Sequence, residues 1–280
     1  METRERQFEQ EPDLGIETIR GSGGGEASYC PERGGIITSL KLRGQEILYL
    51  DEDTLKDRAV NVKGGIPILF PNAGPIKGEG YPGLKQHGFA REAVDWVAVQ
   101  DESGRSFMET LKANAETKKV YPYDFRFSTG GKFEEDGSFT LLQEVENLEA
   151  GKDMPLSMGL HPYFKVPREA MGNIKFDFEG GTEVERSIEQ WSKDKEVKTV
   201  KIDNPRVKDP KAKMRITIPS LGTLTIDASP EYKKIWVWSM VDKDFICIEP
   251  VMRNAGGLEN EPELISPGKT FSSRVNIKLL

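Results

Sequence analysis

The chain has 280 residues, with 39 Lys and Arg against 46 Asp and Glu, a formal net charge of −7 and a pI of about 5.2. That acidic balance argues against a nucleic-acid partner, whose footprint on a protein is basic, and the length suits one large all-β domain over residues 1–280. Cys30 and Cys247 are the only cysteines and no CxxC occurs, so a disulfide framework and a cysteine-built zinc site are not expected, and a cytoplasmic setting fits.

In chain order, the N-terminal METRERQFEQEPD (1–13) is charged and lacks the apolar stretch of a secretory signal. GSGGGE (21–26) reads as a flexible turn, since it has neither the spacing of a phosphate loop nor a helical pattern after it. ITSLKLRGQEILYL (37–50) reads as two strands broken at Arg43-Gly44. IPILF (66–70) is typical of the apolar runs, all too short to span a bilayer, so no membrane partner is expected. GGIPILFPNAGPIKGEGYPGLK (64–85) is a long Gly/Pro loop, and such loops carry function when a rigid scaffold holds them. VDWVAVQ (94–100) alternates as a strand does. FRFSTGGKF (125–133) and SFTLLQEVENL (138–148) flank Glu135-Asp136-Gly137, a hairpin signal. The charged stretch 187–213 predicts a solvated face with long loops. MRITIPSLGTLTIDAS (214–229) makes a second hairpin around Leu221-Gly222, and KKIWVWSM (233–240), DFICIEPV (244–251) and FSSRVNIKLL (271–280) are strand-like. Few windows hold a helical apolar period, and 17 Pro with 28 Gly suit many turns. The fold class expected is mainly β, a large antiparallel sandwich with few short helices.

Only two histidines occur, His87 in KQHGFAR (85–91) and His161 in GLHPYFKV (159–166). Each is explicable as a buried, hydrogen-bonded residue. Each is also a group that exchanges a proton near neutrality, and Arg91 is close enough to His87 to border the same pocket. Tyr163 offers a face for a sugar ring, whereas Phe164 reads as core. Glu249, in an otherwise apolar strand with Phe245 and Cys247 on its face, is costly there unless bonded or shifted in pKa. Pro250 predicts that the strand ends beside it and leaves Glu249 at a sheet rim. Two histidines without HExxH make a catalytic zinc improbable, and no nucleotide fingerprint or GxSxG elbow appears.

GGIPILFPNAG, KQHGFAR, GLHPYFKV and CIEP, with SPGKT (266–270) before the last strand, together resemble the aldose 1-epimerase (mutarotase) family, on the branch that includes the hexose-6-phosphate mutarotases. The resemblance runs from PERGGIITSL (31–40) to the final strand and rests on the order and separation of the motifs. It implies the galactose mutarotase-like sandwich and anomer interconversion of an aldohexose without cofactor or metal. It matches Glu249 to the family's catalytic glutamate, His161 to its proton-donating histidine, and His87 to the histidine that binds and polarises the sugar. The branch tends to place Arg before GGIP. Here the residue is Lys63, which keeps the charge and loses the bidentate fork, while Arg91 is retained. For the family's substrate-binding aspartate, Asp203 in VKIDNPR is the candidate and Asp177 in KFDFEGG its competitor. Asn72 is assigned either to the sugar hydroxyls or to a turn.

The implied chemistry needs one base and one acid on opposite sides of O1 and O5, which Glu249 and His161 would supply. The expected partner is a free hexose or a hexose phosphate, the expected assembly a monomer or weak dimer. Two other readings are a carbohydrate-binding protein without turnover and a glycoside-active enzyme on a similar sandwich, since paired acids are not excluded by sequence.

Overall fold

In the computed structural model residues 14–280 are described, so the N-terminal 1–13, read above for a signal, lies outside them. The chain opens with a four-stranded meander, β1 (Glu17–Arg20), β2 (Glu26–Cys30), β3 (Ile36–Leu42) and β4 (Gln45–Glu46). Arg43 and Gly44 both take the left-handed conformation between β3 and β4, the backbone twist a two-residue hairpin turn requires. A short helix, α1 (Glu52–Lys56), leads through the loop to β5 (Ile68–Leu69). Then follow β6 (Val97–Gln100), β7 (Ser106–Lys112), α2 (Ala115–Val120), β8 (Phe125–Phe133) and β9 (Phe139–Asn147), the last two joined at the Glu135-Asp136-Gly137 turn.

The second half contributes β10 (Met154–Leu156), β11 (Gly159–Leu160), β12 (Tyr163–Lys165), β13 (Lys175–Asp177), α3 (Gly181–Asp194) and β14 (Val200–Asp203). It continues with β15 (Met214–Ile218), β16 (Gly222–Ala228), β17 (Lys234–Trp238), β18 (Phe245–Val251), α4 (Gly257–Asn260), β19 (Glu263–Ile265) and β20 (Thr270–Leu279). Eight strands form one antiparallel sheet in the order β13-β15-β16-β20-β9-β8-β7-β6. Six form the other, β14-β17-β18-β11-β5, with β12 also on β18. The mainly β, antiparallel sandwich expected from the alternating runs is the fold observed.

One core fills the space between the sheets. Phe107, Phe127, Phe139, Leu141 and Ile277 come from the larger sheet, and Ile235, Val237, Ile246, Ile248 and Phe164 from the smaller. Strand side chains alternate, so the residues between these on the smaller sheet leave its other face. They are Trp236 and Trp238 on β17, Cys247 and Glu249 on β18, and Tyr163 on β12. The site is built on that outer face.

Two expectations are corrected. The charged stretch 187–213 is not all loop. Its first eight residues, 187–194, are the second part of α3, and Val200–Asp203 within it are β14, paired with β17. Val184, Ile188 and Trp191 are buried at helical spacing along α3, so a narrow apolar stripe docks a helix that is charged elsewhere. Nor does the strand end at Pro250, for β18 runs to Val251 with all seven residues buried. Ile248 N–H donates to Pro162 O and Met252 N–H to Met158 O, so the donor missing at Pro250, opposite Leu160 at the end of β11, costs one ladder bond and does not end the pairing. Glu249 therefore stands inside the sheet and not at its rim.

Candidate active site

A cavity of about 380 Å³ opens on the outer face of the smaller sheet, lined among others by Lys63, His87, Arg91, His161, Tyr163, Trp236, Trp238 and Glu249. That volume is in the range that holds a small ligand.

His87 is placed by its own loop. It has a left-handed backbone, φ +68, and is followed by Gly88 at φ +71. A Cβ on Gly88 would lie 1.9 Å from Phe70 O, so the position after the histidine admits only glycine. Phe70 O accepts the N–H groups of Phe89 and Ala90, which pins the turn to β5. His87 N–H donates to Gly74 O, and Gly74 N–H donates back to Nδ1 at 3.1 Å. An accepting Nδ1 leaves the ring proton of neutral His87 on Nε2, and the Gln86 amide 3.0 Å from that nitrogen then turns its oxygen toward it to accept. Burial, with the Arg91 charge added, holds His87 down to about 3. The imidazole is thus a neutral donor.

His161 sits between β11 and β12, its N–H bonded to Pro67 O. Its ring stacks on Tyr163 with centroids 4.7 Å apart, meets Trp238 edge-on at 6.0 Å, and lies 5.6 Å from the ring of His87. Nε2 is 3.6 Å from Glu249 Oε1. Glu249 is 2% exposed, and its Oε2 has no hydrogen-bond partner, like Nδ1 of His161. Burial pushes the Glu249 carboxyl well above the usual range; burial first, then the charges of His87 and Arg91, pushes His161 well below its own. Low dielectric disfavours charge on either member, so the pair holds one proton between them. The two groups are neighbours on one wall of the cavity.

Arg91 follows in a short 3₁₀ turn, donating to Gln86 O while its buried Nε has no partner. Lys63 stands exposed at the mouth.

Three sequence-based candidates fall elsewhere. Asp203, at the end of β14, does not line this cavity. It is solvent-facing, bonded to Lys234 at 2.6 Å, and borders a separate cleft with Lys208. Asp177, its competitor, is exposed on an edge strand near Arg215. Asn72 is buried, with Nδ2 donating to Gly74 O and Lys85 O, so it ties together the two ends of the loop that carries His87. Those bonds are a turn role; its Oδ1 is buried without a partner, and Asn72 does not line the cavity. Conversely, Gln86, Trp236, Trp238 and Thr199 line the cavity and were not picked out from sequence. A signal existed for the tryptophans: in IWVW they alternate with core residues, on the strand that neighbours Glu249 in the sheet.

A family model described as "Aldose 1-epimerase" matches residues 18–278. The chain belongs to the aldose 1-epimerase family. Among curated relatives of this chain, proteins of Salmonella typhimurium (strain LT2) and Escherichia coli (strain K12), each named "Putative glucose-6-phosphate 1-epimerase", are 29% and 31% identical over 148 residues. Each match covers 50% of this chain and 45% of the relative, so under half of each relative's length is spanned. Among solved structures, the Slr1438 protein from Synechocystis sp. PCC 6803 is 25% identical with a TM-score of 0.81, covering 97% of this chain and 98% of that one. A galactose mutarotase related enzyme from Lactobacillus acidophilus, 20% identical with a TM-score of 0.71 over 94% of this chain and 96% of that one, shares the fold. Among the described residues no helix is long and apolar enough to cross a membrane.

Proposed function

We propose that the chain is an aldose 1-epimerase acting on an aldohexose, with a hexose 6-phosphate as its preferred form. The observation that carries the reading is the buried His161–Glu249 pair, 3.6 Å apart, one proton between them, with unmade hydrogen bonds beside the cavity. The shared proton passes from Glu249 to His161 when the sugar is bound, and Glu249 as carboxylate then takes the proton from the anomeric O1–H while His161 as imidazolium gives one to O5. The C1–O5 bond breaks and C1=O1 forms. Rotation about C1–C2 turns the other face of the aldehyde to O5. Closure returns the proton from Glu249 to O1 and from O5 to His161, so nothing is consumed. His87 donates from Nε2 to a sugar oxygen without changing its own charge. Tyr163 and the two tryptophans offer apolar faces for the pyranose C–H groups.

Charge at the mouth supports a phosphate. Arg91 also lines an adjoining cavity of about 410 Å³ with Arg33, Arg58 and Lys85. Arg33 there is spent on four carbonyls, Arg58 faces Glu32 and Lys85 faces Glu92. Arg91 carries the uncommitted donor, joined by Lys63. The names of the bacterial relatives point the same way.

Polarimetry on freshly dissolved α-glucose and α-glucose 6-phosphate tests the activity. The native protein speeds both equilibrations, with the higher kcat/KM on the phosphate. Glu249→Gln lowers kcat by about 10²-fold or more, since it removes the base and little shape. A native kcat in that variant removes Glu249 from the mechanism, and an unchanged spontaneous rate with native protein leaves the binding-only reading. Arg91→Ala raises KM for the 6-phosphate about tenfold or more, the scale of one charged hydrogen bond, and less for glucose. Equal effects on both sugars would take the phosphate away from Arg91.

A further inference from the structure

Cys247 precedes Glu249 by two residues on β18 and shares its face. It pairs in register with Tyr163, two residues beyond His161. Ligand atoms of His161, Cys247 and Glu249 all lie within 4.8 Å of one another, and all three residues are buried. The mutarotation mechanism uses two of them and leaves the thiol without a task. We propose that the three form an inhibitory site for a thiophilic divalent cation of the zinc class, which occupies the floor of the cavity when sugar is absent.

Imidazole, thiolate and carboxylate together are a donor set that suits Zn²⁺ and does not suit Mg²⁺ or Ca²⁺. The His161–Glu249 separation of 3.6 Å is already that of two ligands on one tetrahedral ion. Cys247 Sγ, no more than 4.8 Å from either, has to close by at most about 1 Å to give Zn–S and Zn–N bonds of roughly 2.3 and 2.0 Å, a movement within reach of rotation about its Cα–Cβ bond. Glu249 Oε2 and His161 Nδ1 are buried without partners, so both residues have bonding capacity that a cation and its bound water would use. The fourth position opens into the cavity, which also provides the entry path. As the Zn–S bond forms, the thiol proton leaves to water, and no electron changes hands. Short sequence motifs could not reveal this set, because CxxC and HExxH spacings describe ligands from one segment, and here the strand register brings them together.

Binding of the ion is independent of turnover, so the first test reads the metal alone. Co²⁺ added to the full chain produces a near-ultraviolet thiolate-to-metal band that saturates at one equivalent. Cys247→Ser lacks the band, Cys30→Ser keeps it, and saturating glucose 6-phosphate abolishes it in the native protein. The second test does rest on the epimerase reading. Zn²⁺ raises the apparent KM with kcat unchanged, and a chelator reverses the effect. Cys247→Ser retains metal-free turnover but needs at least about tenfold more Zn²⁺ for the same inhibition. No thiolate band, a band that survives Cys247→Ser, or equal Zn²⁺ potency in the two proteins overturns the site. Should Cys247→Ser not fold, the native protein still decides, because in a protein that shows mutarotation a band indifferent to the sugar phosphate places the metal elsewhere. A Co²⁺ band in a protein without mutarotation would leave the metal site standing and remove only the proposed reaction.

Discussion

The proton on His87 is assigned by one backbone contact. Gly74 N–H points at Nδ1, so the neutral ring donates from Nε2, and burial with Arg91 nearby keeps it neutral. Charge on the catalytic pair is likewise displaced from the ordinary histidine range, with Glu249 pushed up and His161 pushed down. The single shared proton therefore stays in place across neutrality. With free glucose as substrate, so that no phosphate titrates, the expected result is a kcat/KM profile with no inflection near 6.5, flat between about pH 5 and 7, where a solvated histidine would titrate. An inflection there that vanishes in His87→Asn would mean that His87 is exposed to water and charges during the cycle. Both histidines were legible as one site because they are so few and each lies in a motif with glycine and aromatics. The aspartates were not. An exposed carboxylate on an edge strand and one facing a substrate look alike in sequence, and only the Lys234 contact separates Asp203 from the cavity.

At the level of elements, alternation carried most of the reading. Hairpins at Arg43-Gly44, Asp136-Gly137 and Leu221-Gly222 lie where the turn residues placed them, since positive φ at Arg43, Gly44, Gly137 and Gly222 leaves few other solutions. Helix α3 was hidden because its apolar stripe is Val184, Ile188 and Trp191 alone, diluted by charge on every other side. Pro250 misled for a definite reason. A strand can lose one ladder bond and continue: the register sets Pro250 opposite Leu160, and the bonds of Ile248 and Met252 on either side hold the pairing. The same register, carried across the two residues between β11 and β12, sets His161 opposite Glu249. The pairing of these strands and the placement of the acid are thus one feature. The Gly/Pro loop shows the same economy: Asn72 and Gly88 shape a turn whose product is the orientation of one imidazole.

At the level of the whole molecule, the two sheets close over a group the site does not use. Glu109 on β7 shares its face with Phe107 and Leu111, fully buried against Ile37, Ile68 and Leu141, and neither carboxyl oxygen has a partner among the described residues. Burial, with a small addition from Glu17, pushes it up to about 8, against 4.5 for the unperturbed group. The folded protein therefore binds this proton more tightly than the unfolded chain does. Stability from this source is complete below about pH 4.5, falls as pH rises toward 8, and changes no further above that. At about 1.4 kcal/mol per pH interval the loss is a few kcal/mol by pH 8, a large part of the margin of an ordinary domain. His87 acts with the opposite sign, losing stability as pH falls from 6.5 toward 3, so the raw curve mixes both. Replacing Glu109 with Gln isolates the first, because the amide keeps the shape and cannot ionise. Denaturant unfolding should give near-equal stabilities for Glu109→Gln and native protein at pH 5. At pH 8.5 the variant should be more stable by about 2–4 kcal/mol. Parallel curves over that span would mean that Glu109 ionises as easily in the folded core as in water, and that the space between the sheets admits solvent.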